Sequence, residues 1–214
     1  MKITLRLALL LERSLMTYTQ ARYKSYQDYL DDDSLSPEIN HRLLSTGELI
    51  EVPPEDDDNT NVAFVLGFSI ARLRNASFVN QVRTGTKEIQ VKPVGDKRVN
   101  RKPDLLVLHP EHRDIAKQAI LLGMVPPLFV AEVVSPGSES SDNYKRDYIW
   151  KRQQYQDWGI PEYWIIDRHR ARVTVLVLVG DRYTETVYTG SYPIDSSVFP
   201  NLKVTAQTVL SGEV

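Results

Sequence analysis

Cysteine is absent from the 214 residues. That single gap removes disulfide frameworks, thiolate zinc sites, iron–sulfur clusters and cysteine nucleophiles, and makes a reducing, cytoplasmic setting the expectation. No apolar run approaches the ~18 residues needed to span a bilayer, so no membrane partner is expected. A dominant charge is also missing: 26 Lys+Arg against 28 Asp+Glu leave a formal charge of -2. There is no global positive field to gather nucleic acid, and any polyanion must be held locally. No internal repeat, low-complexity linker or composition break divides the chain. With 42% hydrophobic and 25% charged residues, the composition is that of a globular protein with a real core.

The N-terminus needs separating from the rest. Residues 1–15 (MKITLRLALLLERSL) have the outline of a secretory leader, but Arg6 interrupts the apolar run and Glu12-Arg13 follow where small cleavage-site residues belong. Met16 opens MTYTQARYKSYQDYL as a natural beginning. Residues 1–15 are therefore read as an extension or a mis-called start, and 16–214 as a single domain.

Periodicity then places the elements. Tyr23 to Leu30 predicts a short amphipathic helix ended by Asp31-Asp32-Asp33. RLLSTGELIEV alternates about Thr46-Gly47 as a hairpin. Val62, Val65, Leu66, Ser69, Ile70 and Leu73 recur at helical spacing, predicting a helix from about Asn59 to Arg74 with an acidic lead that suits its N-terminus. Strands are expected at Ser77 to Val82, Lys87 to Lys92 and Asp104 to Leu108, and a helix at Glu111 to Leu122. LFVAEVV reads as a buried central strand. A helix from about Asp142 to Trp158, closed by Gly159 and Pro161, precedes strands at Tyr163 to Ile166, Arg172 to Val179 and Tyr183 to Tyr188. The fold class is α/β (α+β), a mixed sheet flanked by helices with additional antiparallel hairpins.

Three charged residues break the rule that charges avoid cores. Glu132 lies inside LFVAEVV, where a carboxylate must be paired, protonated or bound to a cation. A plain buried Arg partner would satisfy it. Asp104, after Pro103, stands at the mouth of another apolar strand, where an Asp also commonly caps a turn. Lys151 sits near the centre of a helical stripe of Tyr144, Tyr148, Tyr155 and Trp158 that must face the sheet. Its ammonium either snorkels to water or meets the carboxylates below. Taken together, two carboxylates on neighbouring strands offer oxygen ligands to a hard divalent cation, and a lysine beside them can orient water and stabilise phosphate charge. Metal-assisted phosphodiester hydrolysis requires such a constellation.

The order Pro103-Asp104, then Glu132-Val133-Val134, then a helix resembles the PD-(D/E)xK nuclease superfamily. EVVSPGS followed by YKRDYIWKRQQYQDWGIPEYWIID resembles, more closely, the restriction endonuclease family filed as domain of unknown function 820. The likeness runs from about Tyr18 onward. It implies a restriction-endonuclease-like core and DNA cleavage dependent on Mg2+, with Mn2+ as a possible substitute. By position it implies metal ligation by Asp104, Glu132 and the Val133 carbonyl, with Lys151 as the catalytic lysine. The superfamily lysine would stand two residues after the glutamate, where this chain has Val134, so Lys151 on the next helix is read as its replacement. Asp147, one turn earlier, and Tyr155 are read as its supports. Family members commonly carry a Glu before the Gly-Glu turn; here Leu43 stands there, with Glu48 and Glu51 as the nearest substitutes.

Arg83, Lys87, Lys92, Lys97, Arg98, Arg101, Lys102, Lys145, Arg146 and Arg152 cluster positive charge around these motifs, as a phosphate backbone or a guarded strand edge would require. His109 and His112 have near-helical ligand spacing but no clear third ligand. The expectation is an Mg2+-dependent DNA endonuclease, homodimeric as enzymes that cut two antiparallel strands tend to be. The alternative is a catalytically inactive module that kept the nuclease fold for binding.

Overall fold

The computed structural model describes residues 22–36, 38–54, 56–112 and 118–213. The expected N-terminal extension lies outside the described residues. Elements are numbered in chain order. Ser25 starts α1 (Tyr26–Leu30) through a capping box: its hydroxyl accepts from the Asp28 N–H while the Asp28 carboxylate accepts from the Ser25 N–H. The hairpin β1 (His41–Leu43) and β2 (Leu49–Glu51) turns at Gly47. Its φ is +85°, and an added Cβ would collide with the Tyr23 carbonyl oxygen, so glycine is required twice over.

The long helix α2 (Asp57–Ala71) is capped by Asp56, which accepts from the Asp58 N–H. Its inner stripe of Val62, Leu66 and Ile70 is buried, and Leu66 and Ile70 each contribute about 1.5–3 kcal/mol by leaving water. They pack on a six-stranded sheet of order β11-β10-β9-β8-β6-β3. Its strands are β3 (Val82–Thr84), β6 (Leu105–Val107), β8 (Phe129–Val133), β9 (Glu162–Asp167), β10 (Arg172–Val179) and β11 (Arg182–Thr189). Only β8 and β9 pair in parallel; the other four pairings are antiparallel. The mixed sheet expected from the sequence is present, with LFVAEVV in its interior.

Alternation divides that sheet into two packed faces. Leu105, Val107, Phe129, Ala131 and Trp164 join α2 and the C-terminal α6 (Ala206–Ser211) in one core. Leu106, Val130, Val134 and Ile165 join Tyr155 and Tyr163 in the other. Beside it, a small sheet of β5 (Asn100–Arg101), β4 (Glu88–Gln90) and β7 (Ala119–Ile120) meets the hairpin: the Val99 N–H donates to the Leu43 carbonyl.

Two local expectations fail. Ser77 to Val82 begins as a helical turn, α3 (Ala76–Val79), in which Phe78 turns into the core and Val79 stays 49% exposed; the strand begins only at Val82. Within Glu111 to Leu122, residues 113–117 are outside those described, and Ala119–Ile120 is a strand parallel to β4. Pairing there buries Ile120 completely against the Ile89 cluster, a tertiary gain that outweighs helical propensity. The segment from Asp142 to Trp158 is helical, but not uniformly: α4 (Asp142–Tyr144) widens into a π-helical stretch, Lys145–Trp150, before α5 (Lys151–Trp158).

Candidate active site

The register of β6 against β8 pairs Leu105 with Ala131. One further step sets Asp104 opposite Glu132, on the face that carries Leu106 and Val130. Outward bonds of β6 alternate: the Gly85 N–H donates to the Asp104 carbonyl and the Leu108 N–H to that of Gln81. The Asp104–Glu132 position is therefore a non-hydrogen-bonded pair, the kind in which cross-strand side chains approach most closely. Like charges so placed repel, and a cation between them relieves the repulsion. The ladder ends here because Pro103, facing Val133, has no N–H to give its carbonyl. The Val133 N–H donates instead to Asp104 Oδ2 at 2.7 Å. The proline thus shapes both the Asp104 carboxylate and the Val133 carbonyl oxygen beside Glu132.

Glu132 is 2% exposed, and both of its oxygens have partners. Lys151 Nζ lies 2.9 Å from Oε2, and the Tyr155 hydroxyl donates to Oε1 at 2.6 Å. Lys151 also lies 2.7 Å from Asp147 Oδ1. The ammonium therefore turns onto the sheet rather than to water. Tyr155 contacts Glu132, not Lys151. Burial first, and then the Glu132 carboxylate, push the Tyr155 hydroxyl far above its ordinary pKa, keeping it a donor.

The π-helical stretch explains how Asp147 joins this group. A π turn admits one extra residue, and such turns concentrate at functional sites. Asp147 is the buried residue of the stretch, and Tyr163 donates its hydroxyl to the Asp147 carbonyl at 3.0 Å. Burial pulls the Asp147 carboxyl upward, but the Lys151 ammonium and the Arg146 guanidinium outweigh it and hold the group below the usual carboxylate range. Arg146 Nη2 sits 2.9 Å from Asp147 Oδ2. Carboxylates and cations thus alternate from Glu132 through Lys151 and Asp147 to Arg146.

Among the described residues, no three His, Cys, Asp or Glu side chains form a ready metal cage. The oxygens of Asp104, Glu132 and the Val133 backbone still suit magnesium, which binds through one or two carboxylates and keeps several waters. A carboxylate oxygen has two lone pairs, so a single hydrogen bond to it does not exclude a metal. The residues present fit that ion, and such a donor set would not select a soft metal.

A family model described as "Putative restriction endonuclease", named Uma2, matches residues 24–207. The chain belongs to the Uma2 family. A similar solved structure is that of a putative nuclease of the domain-of-unknown-function-820 group from Anabaena variabilis. It is 13% identical, over 80% of this chain and 90% of that one, with a TM-score of 0.56. That likeness establishes a shared fold, the restriction-endonuclease-like one expected from the sequence. No curated protein matches the chain.

In this Uma2 chain the basic residues singled out from the sequence separate into distinct groups. Arg101 is 2% exposed, its fork closed on Asp96 at 2.9 Å and 2.9 Å and its Nε on Gln154 at 2.8 Å. Arg152 pairs with Glu185 and Lys145 with Asp142. Arg98 and Arg146 line a cleft next to the end of β8. Leu43 is buried with Tyr23, Tyr29 and Leu49 rather than pointing at the carboxylates. Glu48 accepts from the Thr46 hydroxyl, and Glu51 lines the cleft. His112 is spent on the backbone, bonding the His109 N–H and the Val125 carbonyl.

Arg42 escaped the sequence reading. It is buried beside the hairpin turn, with Nη1 donating to Asn40 Oδ1 and the His41 carbonyl. Burial lowers its pKa while Glu88 and Glu132 raise it, which places a guanidinium within electrostatic reach of the site. An arginine in a short hairpin strand carries no local mark of burial, so no sequence signal singled it out.

Proposed function

We propose that this Uma2 protein is a divalent-metal-dependent endonuclease that hydrolyses DNA phosphodiester bonds. The observation that carries this reading is the Lys151 ammonium held 2.9 Å from Glu132 and 2.7 Å from Asp147, beside the Asp104 carboxylate. Asp104, Glu132 and the Val133 carbonyl would hold Mg2+, or Mn2+ in its place. The bound ion would polarise a phosphate oxygen and acidify a water. Lys151 then donates to the attacking water or to a phosphate oxygen and stabilises the negative charge that develops there. Asp147 fixes the direction of that ammonium, and the Tyr155 hydroxyl fixes the Glu132 carboxylate. No helix among the described residues is long and apolar enough to cross a membrane; the proposal includes a cytoplasmic homodimer, checked by mass in solution.

Cleavage of plasmid and oligonucleotide DNA with and without Mg2+ tests the reading, with Glu132→Gln as control. Magnesium should raise the thermal midpoint of the parent, by about 2.7 kcal/mol of stability at one hundred times the dissociation constant, and should leave Glu132→Gln unmoved. The buried Leu43, where the family commonly carries an acid, favours a second reading: a non-catalytic binding module. No midpoint shift and no cleavage by the parent would select it.

A further inference from the structure

A cleft of ≈ 900 Å³ opens where β8 ends, lined by Val134, Ser135 and Pro136, the residues directly after the Glu132 strand. Arg98 and Arg146 enter it from different elements, the β4–β5 connection and the π-helical stretch. Arg98 is tightly placed: its side chain is 15% exposed, and its Nε lies 3.3 Å from Asp96 Oδ2. That nitrogen makes no hydrogen bond among the described residues, and both Asp96 oxygens already accept from the fork of Arg101. Burial first, then the nearby guanidinium of Arg101, lower Arg98 to about 10, with Arg42 and Arg146 acting in the same direction. Guanidinium groups thus crowd one another around a shared carboxylate, and the Arg98 Nε has an ion pair there without a well-formed hydrogen bond. An anion in the cleft would relieve both conditions.

Another sector of the rim has the opposite character. Glu51 at the end of β2, Asp56 at the cap of α2 and Asp58 in its first turn line it, and Asp58 already holds Arg168 at 3.0 Å. The N-terminus of α2, which would otherwise attract phosphate, is taken up by its own cap and first-turn acids. The cleft therefore offers one basic strip and one acidic one. A duplex brings two phosphate backbones with a charge every ~1.7 Å of axis, whereas a single strand brings half that density along one line.

We infer that this cleft binds one unpaired nucleic-acid strand, its phosphates seated on Arg98 and Arg146, while the acidic rim turns away the second backbone of a duplex. The inference rests on the nuclease reading, because the cleft is lined by Val134, Ser135 and Pro136, which directly follow the Glu132 strand, and by Arg146, which pairs with Asp147. The shared chemistry is the phosphodiester chain, so unpaired DNA and RNA are both used as probes.

Fluorescence anisotropy of the full chain in EDTA, with equal-length unpaired DNA, unpaired RNA and duplex DNA, tests it. The unpaired strands should bind within about threefold of each other and about tenfold or more tighter than the duplex. Arg98→Gln should weaken the unpaired strand about three- to tenfold and lower the salt slope by about 1. Glu51→Lys, an exposed change that keeps the fold testable if Arg98→Gln is unstable, should raise duplex affinity selectively. Equal binding of duplex and unpaired DNA by the parent, strong discrimination between DNA and RNA, or no duplex gain in Glu51→Lys would overturn it. Binding is read without metal and cleavage with Mg2+, so intact strand preference without cleavage sinks only the nuclease reading, and cleavage without strand preference sinks only the groove.

Discussion

Glu132 and Glu162 lie on neighbouring strands, β8 and β9, facing opposite sides of one sheet, and both are buried: 2% and 0% exposed. Their surroundings differ completely. Glu162 accepts from five neutral donors: Trp164 Nε1, the Ser196 hydroxyl, the Ser197 hydroxyl, and the N–H groups of Ser197 and Val198. Its lone pairs are saturated by groups that cannot leave, and the segment they belong to carries Phe199 into the core against Phe129 and Phe78. Glu132 is held by an ammonium and a phenol on one helix, and it faces another carboxylate across the strand. The first arrangement is a clamp. The second is an electrostatic arrangement in which an ammonium balances the acid, and the difference teaches that burial alone does not separate a structural acid from a candidate functional one; the identity of its donors does.

Substitution should separate the two roles. Glu162→Ala leaves several buried donors unsatisfied and should cost about 3–5 kcal/mol, read as a lower denaturant midpoint with unchanged slope. Glu132→Gln should weigh the other way, slowing cleavage by about 10²–10³-fold while its denaturant midpoint falls less than that of Glu162→Ala, because the amide keeps an oxygen acceptor for Tyr155 and Lys151 retains Asp147. If the two phenotypes are exchanged, the comparison fails. Asp147→Asn, which leaves the Lys151–Glu132 contact in place, should slow cleavage about 10–100-fold through kcat rather than KM.

Asp147 also gives a pH signature. Its folded pKa lies below the ordinary value of about 3.9, so its contribution to stability is present above that value and is lost as pH falls through the folded pKa. The stability gap between parent and Asp147→Asn should be full above about pH 5 and should shrink in stronger acid, as followed by chemical denaturation across pH. A gap independent of pH would break the assignment. The smallest effect belongs to Tyr155→Phe, which removes one bond to a charged acceptor and should cost about 1.5–3 kcal/mol of stability with a several-fold loss of rate.

Most of the secondary structure was legible because periodicity is local. The hairpin at Gly47, helix α2 and the strands β8 to β11 follow from residues a few positions apart. Lys151, Glu132 and Asp104 were legible for a related reason: each is a charge at a position whose neighbours demand burial. Glu162 was not. It follows Pro161 at a strand start, and its donors at Ser196 and Ser197 stand 34 and 35 residues further on. Arg101 and Gln154, 53 residues apart, were invisible as a pair for the same reason. The errors at Ala76–Val79 and Ala119–Ile120 occurred in short segments, where one buried side chain or one strand partner outweighs propensity.

Residue order alone determined that this chain forms a mixed α/β sheet, that three charges stand where their neighbours demand burial, and that a cysteine-free oxygen and nitrogen chemistry must serve them. Tertiary structure decided which acid faces which across β6 and β8, how the π-helical stretch turns Asp147 inward, and that one buried glutamate is held by neutral donors while the other is held by an ammonium and a phenol. Side-chain periodicity is set by neighbours along the backbone, whereas the partner a buried charge finds is set by long-range packing, where desolvation penalises every charge left without one.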